Sequence, residues 1–296
     1  MKKSILLTLL AAGQLAFADH ALVLQTDFGL KDGAVSAMKG VSFGVDSNLK
    51  IFDLTHEIPA YNIWEAAYRL HQTVSYWPQG TVFVSVVDPG VGTDRKSVVM
   101  KSKNGQYFVT PDNGTLTLVA DTFGVEAVRE IDETKNRLQG SEKSYTFHGR
   151  DVYAYTGARL ASGKIAFEDV GPELKAEVTR LDYEKAALDG EVLKGTIPAL
   201  DVQYGNVWTN IGDGLLEAAG IKHGDTVCVD IFKDGEKKYG ESMPYVPSFG
   251  DVAEGAPLLY LNSLLDVSFA LNMGDFAASH GITPGPEWSV NLKKCN

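Results

Sequence analysis

Of 296 residues, 44% are hydrophobic, ample for a sizeable core, and the length suits one large domain or two smaller ones. The formal net charge of −11, with no basic patch, argues against nucleic acid and anionic membranes as partners. No stretch beyond the N-terminal segment is long and apolar enough to span a bilayer.

Lys2-Lys3, the apolar run Ile5 to Phe17, and Ala16-Phe17-Ala18 before Asp19 read as a secretory signal peptide over residues 1–18. The expectation is an exported, periplasmic protein cleaved after Ala18. Export permits a disulfide, but Cys228 sits in an apolar strand-like run and Cys295 is penultimate. The pair reads as a buried core thiol and a loose tail thiol, and no Cys–His cluster predicts a metal site.

The apolar run Ala21 to Leu24 predicts a strand that ends in the polar loop Thr26-Asp27-Phe28-Gly29. Val35, Met38, Val41 and Val45 then recur at helical spacing, and Lys50 to Leu54 reads as a second strand. Ile63, Ala66, Ala67, Leu70, Val74 and Trp77 mark one helix face, which Pro78-Gln79-Gly80 ends. Thr81 to Val87 is a β-branched run that predicts a buried strand. Asp88 stands at its carboxyl end, where ligands collect in open α/β sheets. Pro89, Gly90 and Gly92 predict a tight loop returning Arg95 toward Asp88, and a nearby guanidinium favours a charged, positioned carboxylate. A structural ion pair stapling the loop is the plainer reading of the same residues.

Val98 to Met100 and Tyr107 to Val109 read as strands with Asn104-Gly105 between them as a hairpin signal. Pro111 to Gly114 forms a turn, and Asp151 to Leu160 a further helix. Strands alternating with helices predict an α/β domain over 19–180. Glu173 to Gly190 is charged and loop-like, which places a boundary within 175–192. Short strands at Gly195 to Val202, Asp225 to Phe232 and Pro257 to Leu261 predict a smaller β domain over 190–296.

Polar residues gather where strands deliver them to loops: Asp27 and Asp32, Asp88 and Arg95, Asp112-Asn113, and Phe147-His148-Gly149-Arg150-Asp151. Asp201 to Asn210 reads as a Gly-bearing polar loop, and Asn262-Ser263 follows a strand. Plainer readings accompany each. Asp27 fits as the cap of the next helix, His148 as a helix-start histidine, Asn113-Gly114 as turn chemistry, and Asp201 and Asn206 as local backbone partners. Asp27, Asp88, His148 and Asp151 show no recognised metal-ligand spacing. This pattern alone names no reaction.

Taken together, six short stretches in order resemble the SAM hydroxide adenosyltransferases, the adenosine-forming S-adenosyl-L-methionine hydrolases. They are Thr26 to Gly29, Asp88 to Gly92, Pro111 to Gly114, Phe147 to Asp151, Tyr204 to Asn206 with Thr209 to Ile211, and Leu261 to Ser263. The resemblance implies an Asp–Arg–His catalytic triad at Asp88, Arg95 and His148. It implies that Asp27 takes the ribose hydroxyls, Asp201 the methionine ammonium, Asn206 the adenine edge and Ser263 the methionine carboxylate, with Tyr61 and Phe249 against the nucleoside. It also implies an N-terminal α/β domain, a C-terminal β-barrel, and homotrimers whose sites are shared between subunits. SAM is substrate, and no cofactor or metal is implied. The related halogenases carry a Tyr near the position of Asp88 and a small residue near that of His148, so the resemblance favours water over halide. Leu264-Leu265 depart from the family, which usually keeps a Gly and sometimes a basic residue after Ser263. The alternatives are an exported nucleoside- or SAM-binding protein without turnover, and a halogenase.

Overall fold

The computed structural model describes residues 20–295; the predicted signal peptide, residues 1–18, lies outside the described residues. In chain order the first region comprises β1 (Leu22–Thr26), α1 (Ala34–Val45), β2 (Ile51–Thr55), α2 (Ile63–Val74), β3 (Val82–Val86), β4 (Ser97–Ser102) and β5 (Tyr107–Pro111). It continues with α3 (Thr117–Phe123), β6 (Val125–Glu130), α4 (Glu133–Asn136), α5 (Tyr155–Ala161) and β7 (Glu173–Leu174). The apolar spacing does not announce α3, α4 or β6.

These strands form one seven-stranded sheet in the order β2-β1-β3-β5-β4-β6-β7. β1, β2, β3 and β5 run parallel, while β4, β6 and β7 join antiparallel. Both faces of the central strands are covered, which is why they read as near-continuous apolar runs. Leu22, Leu24, Val82, Val84 and Val86 pack on the side of α1 and α5, and Val23 and Phe83 on the side of α2 and α3. Gly157 lets α5 lie close on the sheet, because a Cβ there would stand 2.4 Å from Val84 Cγ2. The helix predicted from Asp151 begins instead as a π-helical turn over Gly149–Ala154 that continues into α5.

From β1 the chain crosses to β2 on one side and then returns to β3 on the other. The crevice beyond the carboxyl ends of β1 and β3 is therefore a topological switch point, the place where an open α/β sheet leaves room for a ligand.

The second region comprises β8 (Ala187–Asp189), β9 (Val192–Ile197), β10 (Ala199–Asp201), β11 (Asn206–Gly212), α6 (Asp213–Ala218), β12 (Thr226–Lys233) and β13 (Glu236–Pro244). It ends with β14 (Pro257–Leu261), β15 (Asp266–Leu271), α7 (Phe276–His280) and β16 (Gly285–Lys294). Two antiparallel sheets, β10-β11-β15-β14 and β13-β12-β16-β9-β8, enclose a shared core around Trp288, Phe269 and Phe276. The β-barrel expected here is thus built as two sheets, linked by the chain through Pro198 and by a bridge between Tyr245 and Leu259.

Two expectations change. Asp201 to Asn210 is not an open loop but a tight hairpin: Asp201 pairs with Asn206 across β10 and β11, and Gly205 takes the left-handed φ of 68° that the turn needs. Cys228 and Cys295 are joined as a disulfide, with Cα atoms 5.3 Å apart, so neither is a free thiol. β16 lies antiparallel to β12 with Lys293 opposite Cys228, and Cys295 N–H donates to Thr226 O (2.9 Å). That pairing brings the tail thiol back to the strand, which a separation of 67 residues does not reveal.

A candidate active site beyond the first and third strands

Asp88 leaves β3 into two consecutive turns, in which Val91 N–H donates to Asp88 O and Thr93 N–H to Gly90 O. The turns bring Arg95 back onto the carboxylate, as the spacing predicts. Arg95 Nε donates to Asp88 Oδ1 (2.9 Å) and Nη2 to Oδ2 (2.5 Å), a two-point fork between a guanidinium and a carboxylate. The side chains are 12% and 6% exposed, so water does little to screen the pair. Arg95 Nη1 reaches Ser97 Oγ (2.9 Å), and the guanidinium lies over the Tyr153 ring. Asn113 Nδ2 donates to Val87 O (2.8 Å), so the residue read as turn chemistry also holds the backbone just before Asp88.

His148 opens the π-helical turn and is 7% exposed. Its Nδ1 stands 3.1 Å from Arg95 Nη2, and its Nε2 3.1 Å from Arg137 Nη2. Both neighbours only donate, and a neutral imidazole has one bare nitrogen, so one of the two guanidinium groups donates to it. A protonated ring could accept from neither. Burial lowers the pKa of His148, with Glu133 opposing and Arg95 and Arg137 reinforcing the shift. The site is built for a neutral imidazole. Arg137 is held in turn by Glu133 (2.5 Å). The sequence reading missed both; their only signal is the four-residue spacing of an acid and a base.

Asp27 does not cap α1. Its Oδ2 accepts from the Tyr61 backbone N–H (2.9 Å), while Asp32 accepts from Ala34 N–H at the helix start. Tyr61 has φ 68°, a left-handed backbone unfavourable for an aromatic residue, and its ring is 72% exposed at the rim. Behind Asp27 runs a relay that is buried at Thr26 and His56 and reaches the surface at Asp53. His56 Nε2 meets Asp53 Oδ1 (3.0 Å) and Nδ1 meets Thr26 Oγ1 (2.8 Å). The carboxylate accepts from Nε2–H, and the Thr26 hydroxyl pairs with Nδ1. Thr26 Oγ1 in turn accepts from Phe28 N–H, and His56 O from Gly29 N–H. These bonds shape the turn that carries Asp27, and the sequence reading named neither His56 nor Asp53.

Asp27, Tyr61, Asp88 and His148 line one cavity of about 240 Å³ at the switch point. Asp201, Asn206, Phe249 and Ser263 do not line it. They belong to the second region, where Asn206 Nδ2 donates to Asp201 Oδ2 (3.3 Å) and the Phe249 ring packs on Tyr260 at 4.9 Å. One chain therefore carries the predicted residues as two separate groups. Leu265 takes φ 63° after Ser263 and Leu264, a conformation that costs less with glycine. Asp151 is fully buried and committed to Arg150 (2.6 Å), which removes it as a ligand. Among the described residues no three His, Cys, Asp or Glu side chains group as metal ligands.

Comparison with known proteins agrees with the order of these stretches. The SAM hydroxide adenosyltransferase N-terminal domain matches residues 22–171 and the C-terminal domain residues 195–289. A Methanocaldococcus jannaschii (R)-S-adenosyl-L-methionine hydrolase is 36% identical over 222 residues, 73% of this chain and 76% of that protein. The Salinispora tropica protein of the same name is 34% identical over 267 residues, 90% of this chain and 95% of its own. A fluorinase from Actinopolyspora mzabensis is 27% identical over 295 residues, 91% of this chain and 96% of its own. Among solved structures, an uncharacterized conserved protein from Thermotoga maritima superposes with a TM-score of 0.84 at 34% identity, covering 92% of this chain and 100% of that one. The fork of Asp88 and Arg95 at the switch point and the match across both regions lead to one conclusion: this chain belongs to the SAM hydroxide adenosyltransferase family.

Proposed function

We propose that the protein hydrolyses S-adenosyl-L-methionine to adenosine and L-methionine, by in-line attack of water at C5′. The observation that carries this reading is the Asp88 carboxylate, pinned by Arg95 and facing a cavity it shares with Asp27. Water forms the new bond to C5′ as the C5′–S bond breaks. The electron pair goes to sulfur, which leaves as a neutral thioether, and Asp88 takes the water proton. Such a leaving group needs no general acid, which suits a site whose histidine is kept neutral. Alignment supplies much of the acceleration, since effective molarities for well-oriented groups reach about 10⁵–10⁸ M. Asp27, with two carboxylate oxygens and one committed to Tyr61, suits the ribose hydroxyls.

In this reading Asp201, Asn206, Phe249 and Ser263 close the site from a neighbouring subunit of a homotrimer, because they lie outside the Asp88 cavity of their own chain. The basic, apolar and small residues of 1–18 support export to the periplasm, where the substrate is SAM or a related adenosyl sulfonium met outside the cytoplasm.

The test is to incubate the purified protein with SAM and follow adenosine and methionine by chromatography, with Asp88→Asn beside it. Wild type should release both in equal amounts, and the variant should lose about 10²–10⁴-fold in rate. SAM binding without any adenosine would replace the hydrolase with a binding protein. A 5′-halogenated nucleoside formed in the presence of halide would replace it with a halogenase.

A further inference from the structure

A second cavity, of about 510 Å³, lies away from the one at the switch point. It is a cleft between α2 and the second region, with Trp64, Tyr68 and His71 on one wall and Tyr183, Pro198 and Asp266 among the residues facing them. Its aromatic walls are preset: Trp64 Nε1 donates to Pro198 O (3.0 Å), and the Trp64 and Tyr183 rings lie 5.2 Å apart.

Its polar groups are not satisfied. Tyr68 is 3% exposed, yet its hydroxyl has no hydrogen-bond partner among the described residues. His71 Nδ1 is buried without a partner as well, while Nε2 meets Thr122 Oγ1 (3.0 Å). Asp266 bonds through its backbone N–H and carbonyl, while its partly buried carboxyl has no side-chain hydrogen bond or ion pair among the described residues and meets the like charge of Asp213. Asp121, the other acid of the cleft, is already held by Arg180, Lys185 and Tyr183. Buried polar groups are paired as a rule, so two buried orphans beside an unpaired carboxyl on one cavity call for a ligand.

Charge decides its class. An anion would meet Asp266. A hard metal cation takes six or more oxygen ligands, or several carboxylates, and no such group exists among the described residues. An ammonium brings N–H donors for the carboxylate, and aromatic faces attract cations. We propose that this cleft binds a small organic cation, an amine on an apolar body, with Asp266 as its counter-ion and the Tyr68 hydroxyl as a second contact.

Burial, reinforced by Asp213, raises the Asp266 carboxyl to about 7. The other titratable groups of the cleft are Tyr68, His71, Asp121, Tyr183 and Lys185; of these His71 is held low by burial. The carboxyl thus ionises between pH 6 and 8 while a simple amine stays protonated, so binding tightens with pH.

Isothermal titration of the whole protein with 2-phenylethylamine and hexylamine, with 3-phenylpropionate as the anionic control, tests this. Wild type should bind the amines more tightly at pH 8 than at pH 6 and ignore the acid. Asp266→Asn should weaken binding about tenfold or more, and Tyr68→Phe severalfold with the carboxylate retained. Asp88→Asn should leave amine affinity unchanged, which separates this cleft from the strand-end cavity. Absence of amine binding by wild type, equal affinity in both cleft variants, or loss of binding in Asp88→Asn alone would overturn the proposal.

Discussion

Replacing Arg95 by lysine keeps the positive charge at Asp88 and removes the fork. In the wild type the guanidinium uses three nitrogens at once: Nε and Nη2 on the two carboxylate oxygens, Nη1 on Ser97, with Nη2 also beside His148. One ammonium cannot occupy those positions together, because its three donors radiate from a single atom. Each hydrogen bond to a charged group contributes about 1.5–3 kcal/mol. Lysine retains one such bond to Asp88, so the net loss in aligning the carboxylate is about 2–3 kcal/mol. If that alignment is felt in the transition state, kcat/KM for adenosine release falls about 30-fold to 150-fold. The assay is steady-state adenosine formation across SAM concentrations, with thermal unfolding followed in parallel to confirm that Arg95→Lys is folded. A variant within threefold of wild type would refute the reasoning, and would return the Asp88–Arg95 pair to a loop staple.

Two further outcomes are expected. Arg137→Met removes one of the cations that lower the His148 pKa and frees Glu133, which raises it, from its ion pair, while burial and Arg95 continue to lower it. The His148 pKa should therefore rise, and the acid limb of the kcat/KM profile should move to higher pH, since activity needs the neutral ring and is lost as pH falls through its pKa. An NMR titration that finds His148 unmoved in the variant would sink this. Reduction of the Cys228–Cys295 bond, or alanine at both positions, should lower stability by about 4 kcal/mol from the entropy of a loop of this length. Denaturant unfolding with and without reductant measures it, and a difference under about 1 kcal/mol would show that the β12–β16 pairing holds the tail unaided.

The chain's local patterns reach further into the site than its overall composition does. β1 and β3 are legible because both faces of each are buried, so Leu22 to Leu24 is wholly apolar and Val82 to Val86 is broken only by the small, buried Ser85. Asp88 and Arg95 are legible for a related reason: a strand end and a short turn lie between them, and turn chemistry is local. α3 and β6 are not, because neither carries a sharp apolar period: Gly124 precedes β6, but Glu126, Arg129 and Glu130 break its apolar pattern. The helix after His148 is legible only in part, since its first turn, Gly149–Ala154, is π-helical.

By itself, then, the sequence determined the α/β order of the first region, the strand-end placement of Asp27 and Asp88, and the Asp88–Arg95 contact. Each of these depends on residues close together in the chain. Tertiary structure alone decided that two arginines flank His148, that His56 and Asp53 brace the turn beneath Asp27, and that Cys228 meets Cys295. It also decided that Asp201, Asn206, Phe249 and Ser263 stand apart from the Asp88 cavity. Thr26 meets His56 across 30 positions, Arg95 meets His148 across 53 and Cys228 meets Cys295 across 67, so these outcomes depend on how strands and helices pack. No periodicity or spacing along the chain encodes that packing.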